Sequence, residues 1–132
     1  MTNRIIYYYQ TFTSIKPLLV KNTVVTHIHL SSIHFGINND GSYYIHLNDY
    51  PPNDPRFNVV WEQLKEASDL GIKIVLMVGG AGGGFTQLFS NYQEYYKLLK
   101  KTVREYPFIS GIDLDIEETT KISDVKKLIS QI

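Results

Sequence analysis

The sequence predicts an α/β fold: a parallel sheet whose strands are joined by crossover helices. Three observations carry this expectation. Runs rich in β-branched and aromatic residues alternate with segments whose apolar residues recur at helical spacing, and such alternation implies parallel strands joined by helices. Ile72 to Val78 is almost wholly apolar, as expected of a parallel strand buried on both faces. Ile109 to Ile116 alternates aliphatics with polar and acidic residues, and a period of two sorts them onto the two faces of a strand.

Taken in order, Arg4 to Tyr9 is β-branched and aromatic and reads as the first strand. Its Tyr7, Tyr8 and Tyr9 cannot all face one way, and Tyr8 is the candidate for lining a cleft. Ser14 to Lys21 reads as a short helix, with Pro17 tolerable only in its first turn. Val24 to Leu30 is the second strand. Asn39-Asp40-Gly41 then marks a turn between Ile33–Ile37 and Tyr43–Leu47, which together read as a hairpin. Asp49 to Pro55 is a loop rich in Pro, Asn and Asp. Asn58 to Leu70 reads as a helix with Val60, Leu64 and Ala67 on one side, Trp61 as packing, and Gly71 as its left-handed stop. The apolar third strand follows, then the run Gly79-Gly80-Ala81-Gly82-Gly83-Gly84. Ser90-Asn91-Tyr92-Gln93 has the form of a capping box. It opens a helix in which Tyr92, Tyr95, Tyr96, Leu99, Val103 and Tyr106 recur at helical spacing until Pro107. After the acidic strand, Ser123 caps a last helix carrying Val125, Leu128, Ile129 and Ile132.

The bulk composition excludes several classes of function. The 132 residues suffice for one ordinary domain, and 43% hydrophobic with 20% charged residues is a globular balance. Thirteen basic residues offset thirteen acidic ones with no long basic run, which excludes nucleic acid and anionic membrane as main partners. With no cysteine there are no disulfides or thiolate metal sites, and the compartment stays open. The N-terminus shows no apolar leader core and no stretch approaches the ~20 apolar residues of a membrane span, so neither a signal peptide nor a transmembrane segment is expected in this chain. Ten tyrosines suit a sugar-binding cleft, since a sugar ring has an apolar face and a hydroxylated rim, although most tyrosines are packing residues with a wet tip.

Gly111-Ile112-Asp113-Leu114-Asp115-Ile116-Glu117 is the most informative segment. On a strand, Asp113, Asp115 and Glu117 share one face at roughly 6.5–7 Å spacing, and Ile112, Leu114 and Ile116 share the other. Adjacent carboxyls repel, so at least one pKa must rise. Separated carboxyl pKa values are usual equipment for acid/base chemistry. Two other readings stand beside it: a solvated acidic face, and a hard-cation site. The glycine run fits neither the dinucleotide pattern nor the phosphate loop, because Phe85 stands where each needs another residue. Its glycines, Gly79 and Gly80 first, instead allow close approach of another group and are candidate substrate contacts. His27 and His29 share a strand face, and the expectation is that both imidazoles hydrogen-bond inside the fold. No metal and no cofactor are expected.

The acidic segment resembles the D-G-x-D-x-D-x-E signature of glycoside hydrolase family 18, the chitinases and their relatives. Val78-Gly79-Gly80 resembles the S-x-G-G motif one strand earlier in that family, and Thr26-His27-Ile28 resembles its second strand. The motifs fall in the family's order. Ser110 stands where the signature opens with an acid, Met77 where the glycine motif has serine, and Ile116 and Glu118 where Trp or Tyr are frequent.

The resemblance implies the first half of a (β/α)₈ barrel, with four parallel strands, crossover helices and a hairpin after the second strand, and residues 1–132 as a partial catalytic domain. A whole barrel takes about 250 residues. It implies Glu117 as general acid, Asp115 as partner of the substrate's acetamide, and Asp113 as deeper support sharing a proton with Asp115. The substrate would be β-1,4-linked N-acetylglucosamine, as in chitin, with the substrate supplying its own nucleophile. The alternatives are a non-catalytic glycan-binding half-barrel and an inactive truncated remnant. A half-barrel would also expose the first and fourth strands as edges open to self-association.

Overall fold

The structure, a computed structural model, describes residues 3–132; Met1 and Thr2 of the N-terminal run lie outside the described residues. The order is β1 (Ile6–Tyr9), β2 (His27–Ile37), β3 (Tyr43–Leu47), α1 (Asn58–Asp69), β4 (Lys73–Gly79), α2 (Gly84–Ser90), α3 (Tyr92–Glu105), β5 (Ile109–Asp115) and α4 (Ile122–Gln131). The parallel strands lie in the order β1-β2-β4-β5, and β3 runs antiparallel to the outer half of β2. The four parallel strands and the hairpin on the second are as the sequence predicts.

β2 is longer than expected. Instead of ending at Leu30, it runs on into the hairpin arm without a break. Its ladder with β4 shifts between Leu30 and Ile33, so that both of these side chains, three residues apart, are buried. The shift lets one strand pair with β1 through Tyr9↔Leu30 and with β3 from Ile33↔Leu47 onward.

One face of the sheet is covered by helices. Ile28, Leu30, Ile33, Ile74, Leu76 and Val78 are fully buried there with Tyr9, Leu64, Phe85, Leu88, Tyr95 and Leu128. Burial on this scale, at roughly 25 cal/mol per Å² of apolar surface, is what holds the layers together. The other face is open. Ile6 and Tyr8 stay 37% and 55% exposed on it, and His29, Val75 and Asp113 are only half-buried. The expectation that Ile72–Val78 is buried on both faces is therefore corrected: Lys73 is exposed and Val75 half-buried, because no helix layer covers their side.

α1 buries Val60, Leu64 and Ala67 as expected, and adds Trp61 and Gln63. Gly71 follows it at φ 92°, the left-handed stop its position predicts. Trp61 is a packing residue: it stacks on Tyr106 at 3.7 Å, and its Nε1 donates to the Pro52 carbonyl.

Three local expectations change. The helix over Ser14–Lys21 is only a 3-10 turn, Lys16–Leu18, with Pro17 inside it and no N–H to extend it. Ser90 does not cap α3; its Oγ donates backward to the Gln87 carbonyl at the end of α2, a helix the sequence reading missed. α4 begins at Ile122, which places Ser123 inside its first turn, and no side chain caps it. Among the described residues, no helix is long and apolar enough to cross a membrane.

Tyr95 ties α3 to the hairpin. It is fully buried, its hydroxyl donates to the Gly36 carbonyl at 2.9 Å and accepts from Gln87 Nε2 at 2.9 Å. Tyr95→Phe leaves both partners short of a bond. Urea unfolding should report a loss of about 1–3 kcal/mol with an unchanged denaturant slope; a loss near zero would mean the hydroxyl contributes nothing.

Candidate active site

The site is assembled on the open face, at the C-terminal end of the parallel strands. Alternation along β5 turns Asp113 and Asp115 to that face; they pair across the ladder with Met77 and Gly79 of β4. β5 ends at Asp115, so Glu117 stands exposed on the segment just beyond it. Tyr8, Gln10, Met77, Asp113, Leu114 and Asp115 line a hollow of about 370 Å³. Tyr8 thus lies beside the two aspartates, with its ring on the open face.

The carboxyls have different partners. Asp113 Oδ2 lies 2.9 Å from His29 Nδ1. Hydrogen bonding with the neighbouring Asp115, and next the charge of Asp115, hold the Glu117 carboxyl above the ordinary glutamate range. The Glu117 carboxyl therefore keeps its proton to higher pH than an isolated glutamate. Beside the expected partnership of Asp113 with Asp115, the geometry adds a contact of Asp113 with the His29 imidazole.

His29, expected from sequence to hydrogen-bond inside the fold, finds its partner in the candidate site itself. Its ring sits edge-on to Tyr8 at 5.2 Å, and its side chain is 13% exposed. It reaches Asp113 across the face of the intervening strand β4. Met77 cannot support the aspartate with a hydroxyl; its sulfur accepts from Ser31 Oγ. The support comes from His29 instead. The weak signal in the sequence was the spacing of His27 and His29, which puts both rings on the same face as the acids. His27 bonds Thr26 Oγ1 at 2.7 Å, so both imidazoles have partners inside the fold. Among the described residues, no three His, Cys, Asp or Glu side chains converge to hold a metal ion.

The glycine run wraps the end of β5. The Gly80 N–H donates to the Asp115 carbonyl at 2.8 Å, and a Cβ on Gly80 would lie 3.5 Å from Asp115 Oδ2. Gly80 thus borders the carboxylate. Gly79 does not face the hollow: the Phe85 ring and the Asp115 carbonyl already fill the space beside it. Ser110 lies at the opposite end of β5 from Glu117, where its hydroxyl donates to the Ile74 carbonyl.

Comparison with solved structures places this arrangement. The chain superposes on a chitinase, ChiC, from Aspergillus fumigatus with a TM-score of 0.87 at 31% identity, over 98% of this chain and 49% of that one. It also superposes on a fungal endo-β-N-acetylglucosaminidase from glycosyl hydrolase family 18, with a TM-score of 0.83, 30% identity and the same 98% and 49% coverage. The chain is related to the family 18 glycoside hydrolases. It spans about half the length of these relatives, and its sheet matches half of the family 18 barrel. No family model and no curated protein matches the sequence.

Proposed function

We propose that the chain carries the proton-donating wall of a family 18 glycosidase site acting on β-1,4-linked N-acetylglucosamine. The observation that supports this reading most is the Glu117–Asp115 carboxyl pair beside the hollow, with Glu117 held protonated above its usual range. Glu117 gives its proton to the glycosidic oxygen as the bond from that oxygen to the anomeric carbon breaks. The carbonyl oxygen of the 2-acetamido group attacks the same carbon and forms an oxazolinium ion, while Asp115 accepts a hydrogen bond from the acetamide N–H. Water then attacks the anomeric carbon and loses its proton to Glu117, which restores the acetamide and retains the configuration. Asp113, held by its contact with His29, lies one strand position deeper than Asp115 on the same face. Gly80 and Tyr8 are the neighbouring contacts for the sugar.

A paired assay tests it. An aryl chitobioside should be hydrolysed, whereas the matching cellobioside, with a hydroxyl in place of the acetamide, should not. Equal turnover of both would sink the substrate-assisted route. The second reading is a glycan-binding module without turnover, favoured by the 55% exposure of Tyr8 on a face that no layer covers. Calorimetry with chitotetraose separates the two: heat of binding with no product supports the second reading.

A further inference from the structure

Glu118 follows the proposed proton donor and belongs to no part of the mechanism above. Its Oε1 accepts from the Phe85 backbone N–H at 2.7 Å. Phe85 lies in the first turn of α2 and is fully buried, so its amide has no access to water and needs this acceptor. Glu118 Oε2 is also buried and has no partner among the described residues. It fits because Gly83 leaves room: a Cβ there would stand 3.0 Å from Oε2, at a backbone φ of +78°. An unsatisfied buried carboxylate oxygen costs stability, and so would the unpaired Phe85 N–H that an apolar side chain here would leave.

The compensation is visible in what the bond connects. Gly80 N–H binds the carbonyl of residue 115, and Phe85 N–H binds the side chain of residue 118. These two ties join the glycine loop to the end of β5 on either side of Glu117. We propose that Glu118 is a positioning residue: it latches the glycine loop and α2 to the segment beyond β5 and so fixes the backbone from which Glu117 reaches the scissile bond. A charge-assisted bond of this length is among the stronger tethers available. The charge of Glu118 has a second and smaller effect, adding to the upward push that Asp115 exerts on the Glu117 carboxyl. The charged groups facing Glu117 are Asp115 and Glu118, with Asp113 and His29 deeper on the sheet.

The assignment rests on the reading of Glu117 as proton donor, but its test does not require turnover. Two variants of the full chain separate latch from charge. Glu118→Asp keeps the charge and, one methylene shorter, loses reach to the Phe85 amide. Glu118→Gln keeps an acceptor oxygen and loses the charge. Amide hydrogen exchange at Phe85 should speed up about tenfold or more in Glu118→Asp and change little in Glu118→Gln. The Glu117 carboxyl, titrated by NMR, should move to a lower midpoint in Glu118→Gln. Unchanged exchange in Glu118→Asp would overturn the latch, and an unmoved midpoint in Glu118→Gln would overturn the charge effect. A parent chain that folds but does not hydrolyse chitobioside would overturn the glycosidase reading instead, leaving both measurements to decide the role of Glu118.

Discussion

Glu117→Gln should lower turnover of a chitin oligomer by about 10²–10⁴-fold with KM little changed. The amide matches the carboxyl in shape, so it preserves sugar binding and removes only the transferable proton. An interaction made only in the transition state lowers kcat and kcat/KM together. The leaving group sharpens the expectation. A phenolic leaving group departs with little protonation, so an aryl chitobioside should lose less than an oligomer whose leaving group is a sugar alcohol. Equal losses on both substrates would mean that Glu117 acts by something other than proton donation.

The pH dependence follows from the same contact. A general acid works while protonated, and an ordinary glutamate loses its proton at about pH 4.3. The hydrogen bond to Asp115 and the charges of Asp115 and Glu118 raise the Glu117 value. The direction is therefore fixed: activity persists above the ordinary glutamate range and falls as pH rises through the raised value. In Glu117→Gln that descending limb should vanish from whatever activity remains. A limb at the same pH in both proteins would belong to another group.

How much of this was legible in the sequence depended on whether the signal was local. The acidic face of β5 was, because a period of two assigns sides from sequence alone. So were α1 with its Gly71 stop and α3 with Tyr95 and Leu99, whose spacing is set by one helix turn. The His29–Asp113 contact was not. It spans 84 positions of sequence and one intervening strand, and no local pattern carries that pairing. The latch of Glu118 onto Phe85 spans 33 positions and was hidden for the same reason. α2 was not legible because it is only seven residues long and opens on glycine, so Phe85, Leu88 and Phe89 give barely one turn of helical spacing. Ser90 misled because the residue that ends one helix and the residue that starts the next are of the same type. A serine hydroxyl serves either, and only the chain's path decides which carbonyl or amide it meets. The open face was invisible to a hydrophobicity reading, since Val75 is as apolar half-exposed as it would be buried.

Gly79→Ala should be the most disruptive single-methyl change near the site. The residue has φ +94°, where an L side chain is strained whatever surrounds it. Its Cβ would lie 2.4 Å from the Phe85 ring and 2.6 Å from the Asp115 carbonyl oxygen. Neither can yield easily. Phe85 is fully buried, and the Asp115 carbonyl already accepts the Gly80 N–H at 2.8 Å. Backbone strain of about 1–3 kcal/mol adds to overpacking of about 1–3 kcal/mol, for a loss of roughly 2–6 kcal/mol by urea or thermal unfolding. Gly82→Ala is the control. Gly82 also has positive φ, at +111°, but nothing lies within 4 Å of its Cβ position, so it should show the strain alone. Activity should separate the two further. Relief of the clash pushes on the carbonyl of Asp115 and hence on the carboxyl pair, and a misplacement near 1 Å costs on the order of 10²-fold in rate. Gly82→Ala should leave kcat close to the parent value, because its Cβ meets no atom of the site. Equal loss of stability and of rate in both variants would show that the close approach of Gly79 to the end of β5 holds neither the fold nor the carboxyls in place.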